Sequence, residues 1–272
     1  VNLPMAEAGG MQVFLEDITD DMVADDGGPP RSINAIVPVL SGDPPSARGG
    51  HTATRIGDAI YIYGGASREQ TYCDKVFRLH ITSMSWELLE VEGTGPKTRS
   101  GHSGVAWQDK GLVIVGGINM ALETFFDDVW LLTRAGHDAH DAHWTWSQVA
   151  YHGAKPKARN SHTACLIQDG PLAGQMVVMG GSGCEGPMLS MQLGHLRDLP
   201  HTITWSNISH PSHALMAPRE MHAAACIGCH LIVFGGRVTG QEQVSDEVVT
   251  LCASHNTLKV MSVDQTRVRR CG

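Results

Sequence analysis

An all-β fold in which four short sheets are arranged radially, as the blades of a β-propeller, is what this 272-residue sequence predicts. Three observations carry the prediction. The stretch RGGHTATRIGDAIYIYGG at residues 48–65 returns at 99–117, 159–181 and 219–236, each copy opening R-x-x-H and closing on two glycines. The opening arginines Arg48, Arg99, Arg159 and Arg219 are spaced by 51, 60 and 60 residues. A tryptophan follows three of the double glycines, at Trp86, Trp146 and Trp205, and the next arginine comes 13, 13 and 14 residues later; in the fourth copy that place falls near Leu258. A period of this length, with several short strand-like runs in each, is the sequence form of a propeller blade.

Each run has a physical reason. After His51, His102, His162 and His222 come small residues (Thr52-Ala53-Thr54, Ser103-Gly104, Thr163-Ala164, Ala223-Ala224), which suit an inner strand where blades converge. The second run is apolar at successive positions (Ile60 to Tyr63, Leu112 to Val115, Met176 to Met179, Leu231 to Phe234), as expected of a strand covered on both faces by neighbouring blades. The pairs Gly64 and Gly65, Gly116 and Gly117, Gly180 and Gly181, and Gly235 and Gly236 permit positive φ and a close backbone approach at its end. A third strand follows an acid: Asp74 before Val76, Asp128 before Val129, Asp246 before Val248. The third copy offers only residues 188–193 or the region of Leu196. The tryptophan opens an outer strand, where its ring can cover the seam between sheets, and Gly/Pro turns lead to the next copy.

The R-x-x-H, double-glycine, D-x-V and tryptophan landmarks together resemble the Kelch-repeat family, over about residues 33–263. The resemblance implies a Kelch-type propeller of four recognisable four-stranded blades with part of a fifth. Residues 1–32 are expected to be a partial blade or an acidic N-terminal segment, and 264–272 a basic tail around Arg267, Arg269 and Arg270. Kelch propellers generally have more than four blades. Either these residues belong to a longer polypeptide, or the ring closes with few blades, or a partner completes it.

Composition narrows the function. A formal net charge of -8 disfavours non-specific attraction to nucleic acid or anionic lipid, so no direct nucleic-acid binding is expected. No run approaches a membrane span, and seven scattered cysteines fit a reducing compartment, so a cytoplasmic location or the interior of a reducing organelle is expected.

Two motifs could carry chemistry. Cys226-Ile227-Gly228-Cys229-His230 has the C-x-x-C-H form, but it aligns with the turn at residues 55–59 of the first copy, so its spacing follows from hairpin geometry and ordinary thiols are the expected reading. His137, His140 and His143 lie in an insertion at 135–143 and could collect a metal weakly, but a loop does not hold ligands to the tolerance of a fixed site. No metal, cofactor or catalytic residue is therefore assigned. The repeated arginines and histidines, one per copy, are expected to be fold contacts rather than a catalytic ring, with Asp74, Asp128 and Asp246 as their in-protein partners. A second insertion, at 168–175, is expected on a loop, where specificity resides.

The positions that vary inside the fixed frame are the two residues within R-x-x-H and those after the double glycine. In Kelch substrate adaptors these line the ligand-binding mouth, and the resemblance places Arg68, Ser100, Asn119, Asn160, Ser182, Glu220 and Arg237 there. A non-enzymatic protein-interaction scaffold or adaptor within a larger complex or chain is the leading expectation, with a protein partner that the residues do not name. The alternatives are a Kelch-like enzyme, such as a copper radical oxidase or sugar-acid epimerase, and the accessory propeller of a larger enzyme, such as a Kelch-bearing tRNA-modifying methyltransferase.

Overall fold

The computed structural model describes residues 39–135, 143–208, 217–241, 244–254 and 257–264. They form the expected blades. Blade one holds strands Gly49–Ile56, Ala59–Ala66, Val76–His80 and Ser85–Leu88 in that order from the inside outward. Blade two repeats the order with Ser103–Trp107, Gly111–Val115, Val129–Ala135 and His143–Gln148, and blade three with Thr163–Leu166, Gln175–Met179, Met191–His195 and Thr202–Asn207. Blade four has Ala223–Ile227, His230–Phe234, Val248–Ser254 and Thr257–Asp264, the last occupying the place near Leu258 where the tryptophan is missing. Pairing is antiparallel throughout these four-strand meanders.

Each blade has the expected four strands, and two blades carry an addition. Blades two and three each gain a fifth, because the segment leaving one blade's outer strand runs parallel to the outer strand of the next: Val91–Glu92 along Trp144 and Thr145, and Ala150–Gly153 along residues 202–205. This pairing occupies backbone groups that an exposed edge would leave to other chains. Ser41 bridges Ser85 in the same parallel sense. The third strand of blade three, left between two options by the sequence, is Met191–His195. The N-terminal segment 1–32, the tail beyond Asp264, His137 and His140 lie outside the described residues.

The apolar second strands explain how the blades hold together. Leu112 and Ile114 of blade two face Tyr61 and Tyr63 of blade one, while Val113 and Val115 turn to Met176 and Val178 of blade three. Val177 and Met179 continue to Leu231 and Val233 of blade four. Period-two alternation therefore feeds two different seams in blades two and three, whose central strands are covered on both faces, while in blade four Leu231 and Val233 are buried and Phe234 is exposed. The tryptophans sit where expected. Trp205 is buried in the seam of blades two and three, and Trp146 packs on Tyr63 with ring centroids 5.0 Å apart. The insertion at 168–175 forms the loop before Gln175–Met179, as expected, and that loop is anchored. Leu172 is buried in the seam between blades three and four, and Gln168 receives the Gly228 N–H on its side-chain oxygen while its own N–H bonds the Gly228 carbonyl.

Candidate functional site

The repeated polar residues form a frame around the inner strands. Arg99, Arg159 and Arg219 are fully buried, and each donates to the carbonyl of the first glycine of its own pair, at 2.8, 2.9 and 3.0 Å. Arg48 does the same at 3.2 Å. Strand register sets the second partner, and it corrects the sequence assignment. The residue before the third strand is Lys75, Asp128, Ser190 and Glu247 in the four blades. Arg99 pairs with Asp128, while Arg219 takes Glu247 at 3.1 Å in place of the expected Asp246. Arg48 has no such acid. Its guanidinium lies over the Phe77 ring instead, 5.4 Å from the centroid.

Arg159 meets Ser190 Oγ at 2.9 Å and Gln192 Oε1 at 3.3 Å, both neutral, and burial pushes its pKa down to about 10. A buried cation without a counter-charge is costly. Ser190→Asp, which places in blade three the carboxylate that blade two has, should raise stability by about 1–2 kcal/mol. Urea denaturation checks this, and a lower midpoint would contradict it.

Histidines link successive blades. His102 Nε2 lies 3.1 Å from Thr52 Oγ1, His162 Nε2 2.8 Å from Ser103 Oγ, and His222 Nε2 2.9 Å from Thr163 Oγ1. In each case the hydroxyl belongs to the residue after the previous blade's histidine. Burial holds the imidazoles neutral, depressing their pKa values to about 3, 3 and 4, with the adjacent Arg99, Arg159 and Arg219 adding to the effect. His51 is exposed at the start of the series.

Two backbone ladders run beside them. Gly65, Gly117 and Gly181 donate N–H to the carbonyls of Arg99, Arg159 and Arg219 in the next blade, at 2.9, 2.8 and 2.9 Å. Nearest the axis, Gly101 donates to Gly50, Ser161 to Gly101, and Met221 to Ser161. Gly50, Gly101, Ser161 and Met221 all have positive φ, at 68°, 62°, 53° and 56°. For Ser161 and Met221 that conformation is strained, and the ladder is what holds it.

At the loop end of the blades the variable residues come together in pairs. Ser100 bridges Ile118, Asn160 bridges Ser182, and Glu220 pairs with Arg237. The Arg237 guanidinium lies 3.6 Å from the Glu220 carboxylate and is largely exposed. Arg68 is also exposed, in a groove with Arg48, Ser67 and Glu69. Asn119 departs from the rim set. It is buried, donates to the Thr98 carbonyl and hydroxyl, and accepts the Leu122 N–H to cap the 3-10 turn Met120–Leu122.

Comparison with known proteins agrees with this geometry. Residues 33–236 match the family model described as the KLHDC2/KLHL20/DRC7 Kelch-repeats domain. The chain belongs to the Kelch-repeat family. Among curated relatives of this Kelch chain, the host cell factor homolog hcf-1 of Caenorhabditis elegans is 29% identical over 78% of this chain and 28% of its own length. Acyl-CoA-binding domain-containing protein 4 of Arabidopsis thaliana is 27% identical over 62% of this chain and 22% of its own. Kelch domain-containing protein 3 of Bos taurus is 26% identical over 71% of this chain and 48% of its own. The chain therefore spans less than half the length of these relatives.

The Kelch rim also carries residues that sequence reasoning passed over. Met120, Leu122, Met221 and Val244 are each more than half exposed, all on loops at the R-x-x-H end of the blades. Met221 stands where blades one and two have glycine, inside R-x-x-H. Comparing that one column across copies could have found it. Val244 and the Met120–Leu122 turn lie in loops whose length differs between blades, so no register pointed to them.

Proposed function

We propose that this Kelch chain is a non-enzymatic scaffold whose loop rim recognises a protein partner. One observation carries the reading: the frame residues face inward to one another, while the rim between them is chemically mixed. Exposed apolar side chains (Met120, Leu122, Met221, Val244) stand beside both charge signs (Arg68, Glu69, Arg237, Glu220). Exposed methionines adapt to partner surfaces, and apolar contacts rimmed by charge are how protein interfaces are built. The buried neutral histidines bond to hydroxyls of the adjacent blade, which supports a structural role over proton transfer. Ser100, Asn160 and Ser182 supply hydrogen-bonding groups between the charged positions. Because the chain spans less than half of its relatives, the same rim could instead serve a larger assembly as its docking domain.

The double variant Arg68→Glu/Arg237→Glu tests the reading. Exposed charges contribute little to stability, so the melting temperature should stay within about 3 °C. Capture of specific partners by the immobilised protein, measured by quantitative mass spectrometry, should fall sharply. Unchanged capture, or parallel loss of stability and capture, would show that these arginines are not recognition residues.

A further inference from the structure

We infer that Cys229, His230 and Cys252 form a zinc-binding site at the end of blade four opposite the loop rim. Cys229 closes the turn between the first two strands, His230 opens the second, and Cys252 is the residue paired with His230 on the third. Their ligand atoms lie within 4.8 Å of one another. Cys229 Sγ is 3.9 Å from Cys252 Sγ and 3.6 Å from His230 Nδ1. A tetrahedral zinc with bonds of about 2.3 Å to sulfur and about 2.05 Å to nitrogen requires S···S and S···N edges of about 3.8 and about 3.6 Å. The two edges at Cys229 match those of a tetrahedron, and the third ligand pair lies within 4.8 Å, inside the reach of a side-chain adjustment.

The donor set selects the metal. Two thiolates and an imidazole suit zinc, and they do not suit calcium or magnesium, which demand oxygen. The C-x-x-C-H motif misdirects here. Its first cysteine, Cys226, faces Cys165 of blade three and takes no part, while Cys252, more than twenty residues downstream, supplies the second sulfur. The surroundings are braced. Gln168 bonds both backbone groups of Gly228, and the Asp169 carboxylate sits against that turn, where a Cβ on Gly228 would come within 2.8 Å of it. The fourth position is left to water or to Asp169. Binding releases two protons, one from each thiol, as both cysteines become thiolates. The metal would tie the turn of blade four to its third strand, and through Asp169 to blade three.

Cobalt(II) titration of the protein, reduced with a non-thiol phosphine, tests the site. One equivalent should produce the thiolate-to-cobalt charge-transfer band and the intense visible bands of a tetrahedral complex, and one equivalent of zinc should bleach them. Cys252→Ser should abolish the charge-transfer band at this stoichiometry, and Cys165→Ser/Cys226→Ser should retain it. A wild-type titration without tetrahedral bands, or bands that survive Cys252→Ser, would overturn the inference. Zinc should also raise the wild-type melting temperature and leave that of Cys252→Ser unchanged. This second readout separates lost ligation from lost folding, because the metal-free melting temperatures of the two proteins are compared in the same experiment. An equal zinc effect on both would likewise overturn the site.

Discussion

Gly116→Val should destabilise the protein by about 3–5 kcal/mol, a large part of the stability of an ordinary domain. Gly116 has φ +63°, a conformation costing an L-residue about 1–2 kcal/mol, and more for a β-branched one. The added Cβ would also lie 2.8 Å from the Arg159 carbonyl and 3.0 Å from His162 Cε1, so it pushes against the backbone of blade three. Overpacking of that kind adds about 1–3 kcal/mol. Gly57→Ala is the control. Gly57 has φ +59° but no atom within 4 Å of its would-be Cβ, so only the conformational cost of about 1–2 kcal/mol should appear. Chemical denaturation of both variants gives the difference, which measures the packing of one blade on the next. Equal losses would mean that the double glycine serves the turn alone.

Lowering the pH from 7 to 5 should cost on the order of 6 kcal/mol through the three buried histidines, each contributing about 1.36 kcal/mol per pH unit. In the unfolded chain they begin to protonate near 6.5; in the folded protein they stay neutral down to about 3, 3 and 4. Between those limits the unfolded state binds more protons, so stability is complete above about pH 6.5 and falls continuously as the pH drops toward 4. At pH 5 each histidine is about 1.5 pH units below its unfolded value, or about 2 kcal/mol. For a chain of this size the loss lowers the melting temperature by upward of about 10 °C. Burial raises the Asp128 carboxyl, but the bonds from Arg99 outweigh it and hold the group below its ordinary value, so its own contribution is lost only at lower pH. Urea midpoints at pH 7, 6 and 5 read the slope directly. A flat profile would mean that these imidazoles are protonated, or reach water, in the folded state.

The two results address one structural idea from different sides. The glycine variants probe how closely the blades approach, and the pH series probes the hydrogen bonds made across that approach. Both act on contacts repeated at three seams, so damage at one seam should weaken the protein as a whole.

The repeat, the strand order within a blade and the burial of the central strands were legible in the sequence because they depend on local pattern. Alternation, double glycines and regularly spaced landmarks report backbone needs that each copy has on its own. Partner choice was not legible in this way. Asp246 and Glu247 are adjacent in sequence, and only the pairing of Val248 with Phe234 decides that Glu247 faces Arg219. The same register puts Lys75, not Asp74, at the equivalent place in blade one. Asn119 looked like a rim residue by position, yet the turn that follows it draws its amide inward as a cap. Cys252 carries no local signal at all, since its approach to Cys229 exists only when the third strand lies beside the second. Sequence by itself determined that the chain makes Kelch blades; tertiary structure decided which side chains meet. A strand's period needs only its own residues, whereas a contact between strands depends on a register that no single strand contains.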